Sequence, residues 1–251
     1  MQTRLIDTKI QAPLKTYSDR LMNASNGTLD QRLVRYMYRL KRRYLSLSET
    51  PPVHHLSTVD RSRLELTKDM MKLELSDRRL FHLTLTYKPY RERTYQETDV
   101  TNFFTNFYRQ GLLPYLLQTE DISRPDLLEY HPITYCFVDE HEHKRTKLGF
   151  PIRLHHHAVI AVHPMTIIPM LQLHGTNTLN NLEMTNKIAT SQVTYARPPV
   201  VLYASKRMKK YPDYLHFGLE DYAEPTPDFV PNPVWDNFQS AHVARHHYRN
   251  Y

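Results

Sequence analysis

The segment Arg79-Leu-Phe-His-Leu-Thr-Leu-Thr-Tyr87 constrains the fold more than any other part of the chain. Phe81, Leu83, Leu85 and Tyr87 alternate with His82, Thr84 and Thr86, which predicts a strand with one apolar face and one face of small polar groups. Such a strand needs a sheet around it. Further strands are expected over 132–140 and 151–162, joined by a charged loop, with short ones at 192–196 and 213–219. Helical spacing marks 28–46, where Thr28 and Gln31 form a capping box, and also 58–75. The same spacing covers 98–118, bent or ended near Gly111 and Pro114, and then 164–173, 178–190 and 200–210. Interleaved strands and helices predict an α+β fold, a central antiparallel β-sheet with flanking helices packed on one face.

A length of 251 residues suits one domain, or one domain with an extension. The expected division is a helical, basic extension over 1–76, beginning in a loose arm over 1–27, then a sheet-bearing unit over 77–220 and a Pro-rich tail over 221–251. With 33 Lys+Arg against 26 Asp+Glu, the formal charge of +7 favours a polyanionic partner. The single cysteine, Cys136, excludes an intramolecular disulfide and an all-thiolate zinc site, and fits a reducing compartment. No apolar run approaches the roughly 20 residues of a membrane helix, so no membrane partner is expected. Five well-separated glycines exclude both a dinucleotide-binding glycine fingerprint and a Walker phosphate loop.

Three groups of residues carry chemistry. On the strand 151–162, period-two geometry puts His155 and His157 on one face with Arg153 and Val159, while Leu154, His156 and Ala158 point into an apolar layer. Two imidazoles so spaced can converge on one divalent ion; an accidental run in a chain of 15 histidines is the competing reading. On the preceding strand, Ile133, Tyr135 and Phe137 form the bulkier face. If that face is the core, Glu140 joins the histidines and Asp139 points away, so Glu140 is the preferred third ligand and Asp139 the runner-up. Finally, Tyr203 and Lys206 are three residues apart on a basic helix and can address one group together. A phenol near pKa 10 is a poor nucleophile until its proton is removed or its developing phenolate meets a cation.

Taken in order, these elements resemble the HUH endonucleases, in particular the single-tyrosine replication initiators (Rep proteins) of rolling-circle plasmids and single-stranded DNA phages. Phe81 to Tyr87 resembles the first motif of that family, His155-His156-His157 the histidine–hydrophobic–histidine motif, and Tyr203 to Lys206 the tyrosine motif. The resemblance covers roughly 78–219 and implies a ferredoxin-like variant of the α+β fold. One departure is His156 at the aliphatic position, where burial requires a hydrogen-bond partner. The tyrosine follows the histidines, unlike in conjugative relaxases, and Arg207 stands where related transposases usually carry glutamine. Tyr195 and Tyr211, each eight residues from Tyr203, are too distant for the usual second nucleophile.

The resemblance implies that His155, His157 and Glu140 hold Mg²⁺ or Mn²⁺. Tyr203 would attack a DNA phosphate to give a 5′-phosphotyrosine, and Lys206 would stabilise the charge. It further implies single-stranded origin DNA as substrate, a host helicase and polymerase as partners, and the cytoplasm of a bacterial host as the setting. Thr84, Thr86, Lys88, Arg91, Arg93, Arg207, Lys209 and Lys210 are candidate DNA contacts, with Tyr87, Tyr90 and Tyr95 available to stack on bases. The alternatives are a single-tyrosine transposase, a relaxase-like mobilisation protein, a non-catalytic DNA-binding module, or a metal-dependent hydrolase of small substrates.

Overall fold

The computed structural model of the chain describes residues 16–24, 27–42, 53–88, 95–141, 153–174 and 188–218. Among them are five strands, β1 (Arg79–Tyr87), β2 (Ile133–His141), β3 (Arg153–Val162), β4 (Ile188–Tyr195) and β5 (Tyr214–Phe217). They form one sheet in the order β4-β1-β3-β2-β5, and every neighbouring pair is antiparallel. The described helices are α1 (Tyr17–Met22), α2 (Leu29–Arg42), α3 (Thr58–Leu75), α4 (Glu97–Phe107), α5 (Leu113–Leu117), α6 (Ile167–Leu173) and α7 (Val200–Ala204). None of the described helices is long and apolar enough to cross a membrane.

Local chemistry accounts for several of these boundaries. Thr28 and Gln31 form the expected capping box: the Thr28 amide donates to Gln31 Oε1 at 3.0 Å, and the Gln31 amide to Thr28 Oγ1 at 3.3 Å. Ser57 caps α3 through the Asp60 amide. Between α4 and α5 the chain makes a π turn over Tyr108–Leu112, just before Pro114, whose ring nitrogen cannot donate to the preceding turn.

Three expectations change. Helices cover both faces of the sheet, not one. Phe81, Leu83 and Leu85 of β1, with Ala158 and Ile160 of β3, pack under Phe104 and Phe107 of α4, Leu113 of α5 and Met170 of α6. On the opposite face, Leu80, Tyr135, Phe137, Val159 and Ala161 pack against Leu66 and Met70 of α3 and Val201 and Ala204 of α7. The second change is β4, which falls partly where a helix over 178–190 is expected; residues 178–187 lie outside the described residues. β1 offers a free ladder edge to this segment, and the β-branched Ile188, Val193 and Thr194 fit the pleat. In addition, α1 lies within the segment expected to be a loose arm. The expected tail over 221–251 is outside the described residues.

The polar residue at the middle of the histidine run is fully buried on the α4 face, where its Nδ1 lies 2.7 Å from Tyr87 Oη. One of the two ring nitrogens of His156 thereby has the partner that its burial requires, while Nε2 has none among the described residues. Burial, helped by the neighbouring His155 and His157, pushes its pKa down to about 3. We expect Tyr87→Phe to destabilise the protein by about 1–3 kcal/mol, the cost of orphaning a buried polar group, read as a lower urea midpoint at unchanged slope. The depressed pKa also sets a pH dependence. In the unfolded chain this imidazole protonates near 6.5 while in the folded protein it stays neutral, so its contribution to stability is constant above that pH and falls as pH drops from about 6.5 towards about 3. His156→Leu should flatten this decline in a series of urea titrations across that range.

Candidate metal centre and its surroundings

β2 and β3 build the centre. Their register places Asp139 opposite His155 and Phe137 opposite His157, so Asp139 and both histidines face the α3–α7 layer. Asp139 Oδ2 is 3.3 Å from His155 Nε2 and 3.0 Å from His157 Nε2, and the two nitrogens are 3.2 Å apart. A metal with bonds of about 2.1 Å separates neighbouring ligands by about 3.0 Å in an octahedron and about 3.4 Å in a tetrahedron. The three donors therefore already stand at the spacing of ligands on one ion. All three residues are buried, and together they can hold a metal ion.

Asp139, rather than Glu140, completes this group. The parity argument for Glu140 holds only if the face of Tyr135 and Phe137 is the one buried face of the strand. Because helices bury both faces, an apolar neighbour on a strand does not exclude a polar centre two residues further on. Glu140 pairs with Leu154 and turns its carboxylate towards Lys210 Nζ at 2.5 Å and Tyr211 Oη at 2.9 Å, with Arg207 Nε at 3.9 Å. Burial raises its pKa, but hydrogen bonds from Lys210 and Tyr211 outweigh this and hold the group below its ordinary value.

Burial likewise opposes the charge on Asp139. Contacts from His155, His157 and Lys206 overcome that effect and keep its carboxyl well below the usual carboxylate range. His157 shifts downward, mainly by burial, which favours the neutral imidazole that a metal requires. Its second nitrogen is held from β1: His157 Nδ1 lies 3.1 Å from both Thr84 Oγ1 and His82 Nε2. Such support orients a ligand and selects which nitrogen faces the metal. Thr84 thus supports a ligand. His82, pushed down to about 4 by burial and by nearby His157 and Lys206, was missed in the sequence as a site residue. Its parity with Thr84 and Thr86 on β1 was the available signal.

Tyr203 is the exposed residue of α7, 46% accessible, between buried Leu202 and Ala204. Its ring centroid is 5.1 Å from that of His157 and 5.8 Å from that of His82. The expected helix over 200–210 ends at Ala204 and continues as tight turns. The Lys206 amide donates to Tyr203 O, and its ammonium lies 4.2 Å from the Tyr203 ring centroid and 2.5 Å from Asp139 Oδ2. One cation thus links the phenol to the carboxylate.

The other candidates divide clearly. Tyr195 stacks on Phe81 and meets His174 at a tilt, on the face away from the metal group, and Tyr211 holds Glu140. Tyr87 is buried and cannot stack on a base; Tyr95 packs against Phe103. Lys88, Lys209 and Lys210 are exposed, Thr86 and Arg207 are half-buried, and Arg91, Arg93 and Tyr90 lie outside the described residues. Arg207 Nε is 3.8 Å from Asp139 Oδ1, so the basic turn leans over the metal group. No protein family, curated protein or solved structure matches the chain.

Asp139→Asn should weaken Mn²⁺ binding more than about 100-fold in calorimetric titrations, because it removes a direct ligand's charge. Glu140→Gln should stay within a few fold of the parent. Thr84→Val should cost about 10–100-fold, the usual effect of losing a group that supports a ligand. Equal losses for Asp139→Asn and Glu140→Gln would refute the assignment.

Proposed function

We propose that the chain is a single-tyrosine HUH endonuclease that initiates rolling-circle replication by nicking and rejoining single-stranded DNA. The observation that carries this reading is the approach of exposed Tyr203 and Lys206 to the buried Asp139–His155–His157 group, with the tyrosine following the histidines in the chain. Mg²⁺ or Mn²⁺ held there would polarise the scissile phosphate; two imidazoles with one carboxylate favour Mn²⁺ over the harder Mg²⁺.

The chain's own groups do the rest. Tyr203 Oη attacks phosphorus in line with the departing 3′ oxygen, forming one P–O bond as the P–O3′ bond breaks. The phenolic proton leaves to solvent and the 3′ oxygen takes up a proton. Lys206, beside both the ring and the carboxylate, stabilises the negative charge that passes from phenolate to phosphate. The 5′-phosphotyrosine conserves the bond energy, so a 3′-hydroxyl can reverse the step and rejoin the strand without ATP. The free 3′ end primes a host polymerase, and a host helicase opens the duplex in the bacterial cytoplasm. Arg207, Lys209 and Lys210 supply cations for neighbouring phosphates.

The deciding experiment incubates the protein with single-stranded origin DNA and Mn²⁺ and resolves the products on a denaturing gel. DNA labelled at its 3′ end should become attached to the protein, and DNA labelled at its 5′ end should not. Tyr203→Phe should bind DNA normally and form no adduct, whereas Lys206→Ala should slow cleavage by about 10²–10³-fold, as for loss of one transition-state stabiliser. Undiminished nicking by Tyr203→Phe, or an adduct mapped to Tyr195 or Tyr211, would refute the reading. Binding without an adduct would favour a non-catalytic DNA-binding module.

A further inference from the structure

The helix that presents Tyr203 is five residues long, too short to sustain itself. Its buried residues attach to two cores: Val201 and Ala204 pack on the sheet with Leu66 and Met70, and Leu202 packs with Leu33, Met37, Leu64 and Met71 of α2 and α3. Apolar packing of this kind holds a helix in place but leaves small slides and rotations cheap. A directional restraint is needed to fix where the phenol points.

That restraint comes from α3. Arg63 is buried, and its Nη1 donates to Asp60 Oδ1 at 3.1 Å, one turn earlier on the same helix. Asp60 is itself buried and accepts a hydrogen bond from Ser57 Oγ at 3.1 Å. The pair neutralises the guanidinium without using its whole fork. Nε donates to Ser205 Oγ at 2.9 Å, and Nη2 donates to the Leu202 carbonyl. Ser205 Oγ in turn donates to the Val201 carbonyl at 2.6 Å. The two acceptors flank Tyr203 in sequence, and one planar group grips both. A bidentate guanidinium fixes angle as well as distance, which an ammonium cannot do.

We infer that Arg63 is a positioning residue, a clamp from the N-terminal helical layer that sets the angle at which Tyr203 addresses the metal group. The inference rests on the reading of Tyr203 as nucleophile. It makes α3 part of the catalytic unit, because the group that orients the phenol lies outside the segment 78–219. The hydrogen bonds of Arg63 to Ser205 and the Leu202 carbonyl reach the turn that carries Tyr203, and neither these nor its bond to Asp60 goes to a candidate ligand, so its role here is one of positioning.

The test compares Arg63→Met, Arg63→Lys and Ser205→Ala with the parent in single-turnover cleavage of single-stranded origin DNA with Mn²⁺, at a temperature where circular dichroism shows all four folded. Arg63→Met should lower the cleavage rate constant about 100-fold, the effect of misplacing a reacting group by about 1 Å. Its affinities for Mn²⁺ and for the DNA should stay within a few fold. Arg63→Lys should recover part of the rate, since it supplies charge and one donor but no fork. Ser205→Ala, a smaller change that is safer for folding, should cost about tenfold. In parallel, 3-fluorotyrosine at position 203 gives a ¹⁹F signal that should be single and sharp in the parent and broadened or split in both Arg63 variants. Parental cleavage rates and an unaltered ¹⁹F signal in Arg63→Met would overturn the inference. Parallel loss of rate, metal affinity and DNA affinity would also overturn it, by showing a purely structural role. If the parent forms no adduct, the nucleophile reading fails, while the ¹⁹F comparison still decides whether Arg63 orients the ring.

Discussion

Opposed residues in an antiparallel ladder share a face, and Asp139 stands opposite His155 across the β2–β3 ladder. A slip of one residue would bring Glu140 or Val138 opposite His155 and turn the carboxylate into the α4–α6 layer. The register is held by apolar pairs on both faces: Cys136 opposite Ala158 on one, Tyr135 opposite Val159 on the other. Because each face is buried under its own helices, a slip would send each set of side chains into the layer shaped for the other. The geometry of the candidate metal centre is thus a by-product of packing that extends well beyond it.

This packing carries a cost. Asp139 is fully buried, and an isolated buried carboxylate is prohibitively unfavourable. It is tolerated because positive or polarised groups converge on it from three directions: His155 and His157 from the adjacent strand, Lys206 from the turn after α7, and its own neighbour's amide, which donates to Oδ1 at 2.8 Å. A divalent cation would satisfy the same demand. Asp139, His155 and His157 are the residues that would hold it, and Lys206 is the cation that meets the carboxylate in its place.

Much of this was legible from spacing. The alternation of β1, the parity of His155 and His157, the limits of α3 and the capping box before α2 all follow from period and local hydrogen bonding. What escaped depends on facts that period does not contain. Whether one or both faces of β2 are covered decides between Asp139 and Glu140, and the strand itself shows apolar residues at both parities. The start of β4 is polar, lies at the sheet edge and shows no strong alternation, whereas its end falls on the strand expected over 192–196. His82 is ordinary in sequence and becomes relevant only because β1 lies beside β3, two residues of register away from His157. The expected metal, substrate and partners depend on chemistry beyond both sequence pattern and fold.

The site therefore combines two different mechanical problems. The candidate ligands sit on the central strands of a sheet packed from both sides, where neighbouring ladders and layers resist displacement, and His157 is braced again from β1. Tyr203 must be exposed if a polymer is to reach it, and beyond its contacts with His82, His157 and Lys206 the half-open ring sits on a one-turn helix that cannot hold itself. The fold resolves this by separating presentation from support. Val201, Leu202 and Ala204 bury the other sides of the turn, and the buried Arg63–Asp60 pair reaches it from a long, well-capped helix. The rigidity of α3 is thereby transmitted to a residue that shares no core with it. An accessible group can be held to a buried centre in this way, whereas a longer, independently stable helix would have covered the face that it needs to leave open.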